Sequence, residues 1–418
     1  IAGLLLVKGL EVRICLVGSE PSSGSDAAIA LDYARTSGVD FVSLSEAVLG
    51  AHIIVDALLG TGFSGKTRPH FAEAIQVANR SSAKILSVDL PSGLSGSTGS
   101  GGEGSIKADL TVTFIGRKIG LYTCDGAHYA GDIRFVDLDV PPNIYERVPA
   151  IASCLDYSTE VKLLKPRHGN SHKGSHGHVL VIGGAAGMTG AATMAAEAAL
   201  YAGAGLVSVV SRNTASFAGH RPELMIHGVE VVEDLRELLA GASVVVIGPG
   251  LGTSDWSREI FSEVLTISQP LVVDADGLNL LALAPCRRDS WVLTPHPGEA
   301  ARLLGQANIQ SDRPLAVHSL VTKYGGTVLL KGSGTLIGNE SMLSVCPYGN
   351  PGMSVAGMGD ILSGVIASLI AQGSSLLDAT RLGAVVHSLA ADYLVDRQGE
   401  RGLLASEILP EIRRLVNL

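Results

Sequence analysis

The sequence predicts two α/β domains, each built on a largely parallel sheet covered by helices on both faces. Three observations carry this. Short β-branched runs alternate with Ala- and Leu-rich helical stretches from end to end, the order that βαβ units produce. The strand runs are near-continuously apolar rather than alternating, as strands buried on both faces are. The chain also has 51 Gly in 418 residues and 46% hydrophobic but only 4% aromatic residues, a composition that lets helices approach sheets closely.

In chain order, Ile1–Val7 is apolar but cut off by Lys8. It is too short to span a membrane and has no basic leading segment, so it is expected to be the end of a helix rather than a signal peptide. Strands are expected at Val12–Val17, Ile53–Ala57, Lys84–Val88, Leu110–Ile115 and Ile133–Leu138, with a Gly/Ser-rich loop at Ser95–Ser105. Pro141-Pro142 breaks the pattern. The expected division is therefore a first domain at 1–142, a linker at 143–165 and a second domain at 166–418. The second domain opens with a strand at Val179–Ile182, a Gly-rich turn, a helix at Ala191–Tyr201 and a strand at Leu206–Ser211. Strands follow at Val244–Ile247, Leu271–Asp274, Trp291–Thr294 and Thr327–Leu330, then a hairpin over Thr335–Val345 and a helical run at Ile361–Ala371.

The net charge of −9 argues against nucleic acid or an anionic membrane as partner, since phosphate backbones need a basic face. The five cysteines (15, 124, 154, 286 and 346) are scattered and form no C-x-x-C pair, which points to a reduced, cytoplasmic setting.

Several motifs fit phosphoryl-transfer chemistry. Gly357-Met-Gly-Asp360 opens a helical run. Small residues there expose backbone N–H groups at the positive end of the helix dipole, a place for a transferring phosphoryl group, and Asp360 beside it is positioned to deprotonate a hydroxyl. An ordinary acidic residue in a first helical turn would look the same. The nearby Gly349-Asn-Pro-Gly352 and Lys331-Gly332-Ser333-Gly334-Thr335 shift the balance towards function. Thr294-Pro-His-Pro-Gly-Glu299 follows a strand, with His296 between two prolines in a stiff loop; a binding loop and a structural turn fit it equally. Gly248-Pro-Gly-Leu-Gly252 also follows a strand and lets backbone approach a ligand. Asp274-Ala-Asp276 could hold a metal through water or orient a loop. His168, His172, His176 and His178 crowd together without an acidic or Cys partner, so a flexible loop with Lys173 facing phosphate is preferred to a zinc site.

In the first domain, residues 60–67 match the P-loop pattern literally after a strand, and Lys84–Asp89 resembles a Walker B strand. Arg68-Pro69 follows at once, and Asp89 runs into the turn Leu90-Pro-Ser-Gly93. The match is therefore read as fortuitous for ATP hydrolysis, although the loop suits a substrate phosphate.

Taken together, these residues resemble the bifunctional NAD(P)H-hydrate repair enzymes, across essentially the whole chain. Ser171-His-Lys-Gly, Arg221-Pro-Glu-Leu-Met, Gly248–Gly252, Asp274–Asp276, Thr294–Glu299, Lys331-Gly and Gly357–Asp360 carry the resemblance in the second domain. Val55-Asp-Ala-Leu-Leu-Gly-Thr-Gly, Asp89-Leu-Pro-Ser-Gly and Ala108-Asp-Leu-Thr-Val-Thr-Phe carry it in the first. The resemblance implies an epimerase domain of Rossmann-like, three-layer fold before an ADP-dependent dehydratase domain of ribokinase-like fold. It implies that Asp360 activates the 6-hydroxyl of the hydrated nicotinamide ring to take the terminal phosphoryl group of ADP, with Mg2+, before phosphate leaves. Lys331, Gly332, Ser333, Gly334, Thr335 and Gly359 would contact the nucleotide, and Ala191, Gly252 and His296 the hydrate. In the first domain Asp89 would be the epimerase acid/base. Gly60, Thr61, Gly62, Phe63, Ser64, Gly65 and Lys66 would hold substrate phosphate, and Asp56 and Ser92 would bind K+. The expected partners are the hydrate and ADP, in a homo-oligomer. Two departures stand out. The family's Asn- and Gly-rich loop would precede Ile1, so the epimerase domain is expected to be incomplete. Ala356 also stands where the family often has Gly. The alternative is a ribokinase-like small-molecule kinase with a non-catalytic nucleotide-binding first module.

Overall fold

The computed structural model describes residues 1–417 except 218 and 220. It divides into two units, Ile1–Pro149 and Ala150–Leu418.

In the first unit, β3 (Ile53–Asp56), β4 (Lys84–Val88), β5 (Leu110–Phe114) and β6 (Asp132–Val136) form a parallel sheet in that order. Helix Pro69–Arg80 packs its Ile75 and Ala78 with Ile85, Ile106 and Ala108 in one small core. A second small cluster joins Leu90, Leu94, Leu121 and Ala130. The expected strand Val12–Val17 contracts to β1 (Arg13–Ile14), which pairs with an unexpected β2 (Asp40–Phe41) in a separate two-stranded sheet. An apolar run becomes a strand only as far as a partner satisfies its backbone, and here the partner is two residues long. The strand expected at Ile133–Leu138 ends earlier, since Leu138 and Asp139 take positive φ of 55°. The leading segment is helical over Ala2–Val7.

The second unit is built on one sheet of ten strands. β7 (Ser153–Cys154), β8 (His178–Ile182), β9 (Leu206–Ser211), β10 (Met225–Gly228), β11 (Val244–Ile247), β12 (Leu271–Val273), β13 (Trp291–Leu293), β14 (Thr327–Leu330), β15 (Thr335–Gly338) and β16 (Leu343–Cys346) lie in the order 10-9-8-11-12-13-14-15-16-7. From β10 to β14 all pairs are parallel; β15 and β16 form the expected antiparallel hairpin. Val179–Ile182 and Val244–Ile247 are fully buried, as strands covered on both faces must be. The short edge strands β7 and β10 were not legible, because neither is an apolar run. Residues 153–164 belong to this unit rather than to a linker. β7 pairs with β16, Leu155 is buried, and Glu160 makes a buried ion pair with Arg381 at 2.6 Å. Helices Thr189–Tyr201 and Met358–Ala371 pack tightly, because Gly364 lies against the Ala195 carbonyl where a methyl would not fit. The long helix Leu376–Gln398 runs beside them in the main core. Among the described residues, no helix is long and apolar enough to cross a membrane.

Candidate active site

The chain leaves β8 towards β9 and β10 on one side, while β11 to β14 extend the sheet on the other. Strand order therefore reverses between β8 and β11, the place where open α/β sheets leave a crevice at the carboxyl ends of their strands. The loops after β8 and β11 meet there: Gly184 and Ala185 N–H donate to the carbonyls of Pro249 and Gly250 at 3.0 and 2.7 Å. Gly248, at φ +127°, sits against the Asp274 carbonyl, so a side chain is excluded on two counts. The Gly252 N–H donates to Asp276 Oδ2 at 2.8 Å, and Asn279 links Asp276 to Arg302. Ala191 lies in the first turn of helix Thr189–Tyr201, beside these loops.

The ends of β12, β13 and β14 supply the charges. Lys331 Nζ donates to Asp274 Oδ1 at 2.6 Å, and Ser363 Oγ donates to Asp274 Oδ2 at 2.8 Å. Burial alone would lift the Asp274 pKa, but the Lys331 ammonium and the Ser363 hydroxyl hold it below the usual carboxylate range. Burial opposes the Lys331 charge too, yet Asp274 and Glu299 raise its pKa. Helix Met358–Ala371 starts against this pair. A Cβ on Gly359 would stand 2.8 Å from Lys331 Nζ. Asp360 is pushed up to about 7 by burial and then by the Asp274 charge, with Lys331 opposing. Glu299 is likewise lifted to about 7, mainly by burial.

His296 caps helix Pro297–Leu304. Its Nδ1 accepts the Gly298 and Glu299 N–H groups at 2.9 and 3.4 Å, while Glu299 Oε2 accepts the His296 N–H at 2.8 Å. With Nδ1 occupied as an acceptor, the neutral ring carries its proton on Nε2, 3.4 Å from Glu299 Oε1. Burial, then Lys331 and Arg302, lower the His296 pKa. At neutral pH it is thus a hydrogen-bond donor on the half-exposed side of the cleft rather than a base.

The turn Lys331–Thr335 joins β14 to β15 over a buried Arg313. The Arg313 guanidinium donates to the carbonyls of Leu330, Lys331 and Gly334 at 3.2–3.3 Å and to Gln310 Oε1 at 2.9 Å. Ala191, Gly252, His296, the turn Lys331–Thr335, Gly359 and Asp360 are thus gathered at the carboxyl ends of the parallel strands, whereas Lys173 lies exposed just before β8, at the opposite end. Reading the sequence missed Glu299 as an ionisable group, Arg313, Ser363 and the Asp274–Lys331 pair.

In the first unit, Asp56 ends β3 buried, accepting Ser87 Oγ and Ser92 N–H at 2.8 Å each on Oδ2 and Ser92 Oγ at 2.5 Å on Oδ1. The Leu59 N–H donates to Ser92 Oγ at 2.8 Å, and the Leu59 carbonyl lies 3.3 Å from the same hydroxyl. Asp89, at φ 72°, follows β4. Its Oδ1 receives Thr113 Oγ1 and Phe114 N–H at 3.1 Å each, and also the Lys118 ammonium, a partner the sequence did not suggest. Lys66 is exposed in a loop, and the following helix starts only at Pro69. It is not in the opening turn of that helix, where a P-loop would put it. His178 donates or accepts at Ser208 Oγ, 2.9 Å away, and His168 and His172 are exposed. Among the described residues, no group of three or more His, Cys, Asp or Glu side chains is set to hold a metal ion.

Two family models match the chain: NAD(P)H-hydrate dehydratase over residues 179–414 and YjeF-related protein N-terminus over residues 1–120. The bifunctional NAD(P)H-hydrate repair enzyme Nnr of Coxiella burnetii is 45% identical over 100% of this chain and 87% of its own length. The chain belongs to the bifunctional NAD(P)H-hydrate repair enzymes. As a member of that family it is an enzyme of nicotinamide nucleotide repair, with a dehydratase unit following an epimerase unit. The second unit has the ribokinase-like fold. A ribokinase-like superfamily protein from Enterococcus faecalis aligns with TM-score 0.59 and 28% identity over 63% of this chain and 96% of its own. An ADP/ATP-dependent NAD(P)H-hydrate dehydratase from Bacillus subtilis, co-crystallized with ATP/Mg2+, shares the fold at TM-score 0.57 and 24% identity, covering 63% of this chain and 97% of its own.

Proposed function

We propose that the second unit dehydrates the S-epimer of hydrated NAD(P)H at the expense of ADP, with Asp360 as the base. The observation that carries the reading is a carboxylate lifted to about 7, in the first turn of a buried helix beside Lys331. A base with a pKa near the working pH is well matched to deprotonating a hydroxyl. Asp360 takes the proton from the 6-hydroxyl as that oxygen bonds to the terminal phosphorus of ADP, and AMP departs. The charge developing on the phosphoryl oxygens meets the free N–H groups opening helix Met358–Ala371 and the Lys331 ammonium. The ring nitrogen's electron pair then expels phosphate from C6, and loss of the C5 proton restores the double bond. Lys331, Gly332, Ser333, Gly334, Thr335 and Gly359 hold the nucleotide; Ala191, Gly252 and His296, the last through Nε2–H, hold the hydrate. Mg2+ would come with the nucleotide and supply charge neutralisation at its phosphates.

The first unit interconverts the R and S hydrates, with Asp89 as acid/base and the loop Gly60–Lys66 on substrate phosphate. The oxygens of Asp56, Ser92 and Leu59 suit a hard cation such as K+.

The deciding experiment is Asp360→Asn, which keeps the shape and the backbone donors but removes the base. With S-hydrated NADH and ADP, turnover should fall by ~10²–10⁴ while calorimetric ADP affinity stays close to wild type. Near wild-type turnover would place the base elsewhere, and lost ADP binding in folded protein would make Asp360 a nucleotide ligand.

A further inference from the structure

The turn proposed to hold the nucleotide is shaped from behind by Arg313, whose side chain is fully buried. Its Nη1 donates to the Lys331 carbonyl at 3.2 Å and to Gln310 Oε1 at 2.9 Å. Its Nη2 donates to the carbonyls of Leu330 and Gly334 at 3.2 and 3.3 Å. A Cβ on Gly332 would stand 2.8 Å from Nη1, so the backbone of the turn is packed directly on the guanidinium. One planar fork thereby grips the turn at both ends, at Leu330 and Lys331 after β14 and at Gly334 before β15.

That grip sets the direction of an amide. In a trans peptide the C=O and the following N–H point opposite ways. The Lys331 carbonyl is drawn inward to Arg313, so the Gly332 N–H points outward. Gly332 is exposed, and its N–H has no hydrogen-bond partner among the described residues. The Lys331 N–H, by contrast, is engaged by the Pro295 carbonyl at 2.9 Å. An outward backbone N–H of this kind is a donor that phosphate oxygens take. Stability alone gives little reason for a guanidinium at this place. Arg313 is the first residue of helix Arg313–Tyr324, where the dipole is positive, and full burial adds a desolvation cost.

From this geometry we infer that Arg313 is a positioning residue for the nucleotide: by drawing the Leu330, Lys331 and Gly334 carbonyls inward, it turns the Gly332 N–H out towards the phosphates of ADP. The inference rests on the reading above that this turn holds the nucleotide. Arg313 acts through the backbone it grips. Without the fork the turn is no longer pre-set, and ADP must order it on binding, which weakens affinity. Ala191, Gly252 and His296, proposed to hold the hydrate, lie on other loops and keep their places.

The test uses the full chain with S-hydrated NADH, ADP and Mg2+, reading calorimetric Kd for ADP, KM for the hydrate, kcat, and backbone hydrogen exchange over residues 331–335. Arg313→Met fills the space without a donor. It should raise Kd for ADP about tenfold or more and speed exchange in the free turn, with hydrate KM and kcat at saturating ADP changed by less than about threefold. Arg313→Lys keeps the charge but cannot span three carbonyls, so it should resemble the methionine variant rather than wild type. Gln310→Ala removes only an exposed partner of the guanidinium, so it should fold normally and still raise Kd for ADP about two- to threefold. Unchanged ADP affinity in folded Arg313→Met, wild-type affinity in Arg313→Lys, or a parallel rise of Kd for ADP and KM for the hydrate overturns the inference. If both Arg313 variants misfold, unchanged affinity in Gln310→Ala overturns it instead. Wild-type protein separates the two readings, since ADP should slow exchange over 331–335. No slowing means that the turn does not hold the nucleotide, and both readings fall; slowing beside an unaffected Arg313→Met sinks the present inference alone.

Discussion

Burial and the Asp274 charge raise Asp360 to about 7, and the Glu299 carboxylate adds to that rise. Asp360 must be ionised to act as base, so kcat/KM for dehydration should climb as pH rises through about 7. Glu299→Gln removes one of the negative charges that lift Asp360, and its limb should move to lower pH; an unmoved limb would deny the coupling. Stability follows with a definite sign. A carboxylate whose folded pKa lies above its unfolded value stabilises the fold fully only below the unfolded value, and that contribution is lost as pH rises towards 7. Asp360→Asn should therefore melt close to wild type near pH 4 and above it at pH 8, as calorimetric scans at the two pH values would reveal. Asp360 could be read from the sequence because its glycines and its helix are contiguous with it. The Asp274–Lys331 pair could not, because its partners stand 57 residues apart and meet only through the sheet order.

The helix opening at Met358 combines two demands on Gly359. In a helix, Gly→Ala normally stabilises by about 1 kcal/mol. Here the added methyl would stand 2.8 Å from the Lys331 ammonium, which can move aside only by loosening its pair with the buried Asp274, and stranding that carboxylate costs more than the helix gains. Gly359→Ala should thus lower both Tm and ADP affinity, because the displaced ammonium leaves Asp274 and the nucleotide site. A raised Tm would mean that Lys331 keeps its pair with Asp274 beside the methyl. Elements buried on both faces, β8, β11, β12, β13 and β14, were legible as apolar runs. The two-residue β7 and the half-exposed β10 were not, since what makes them strands is a neighbour's backbone and not their own composition. The literal P-loop match failed as a structural element for a related reason. The pattern specifies residues, but the chemistry needs a helix starting at the lysine, and Arg68-Pro69 delays that start.

At the scale of the molecule, the two sets of candidate residues belong to two compact units, each with its own sheet and core. If each unit completes its own chemistry, single substitutions should separate the activities on a mixture of R and S hydrates. Asp89→Asn keeps Thr113, Phe114 and Lys118 as neighbours but removes the carboxylate they hold. With ADP it should consume the S-hydrate at the wild-type rate, and the R-hydrate only as fast as spontaneous epimerisation supplies S. Asp360→Asn should do the reverse, equilibrating the epimers while releasing almost no NADH. Lys66→Ala should behave as an epimerase variant, since Lys66 is proposed to meet substrate phosphate in the first unit and takes no part in the Lys331–Asp360 cleft. Its dehydration of pure S-hydrate should match wild type. Following NADH absorbance and resolving the epimers by chromatography in one reaction distinguishes all three. Loss of S-hydrate dehydration in a folded Lys66→Ala protein would return the loop Gly60–Lys66 to a nucleotide-hydrolysing role and undo the assignment of one reaction to each unit.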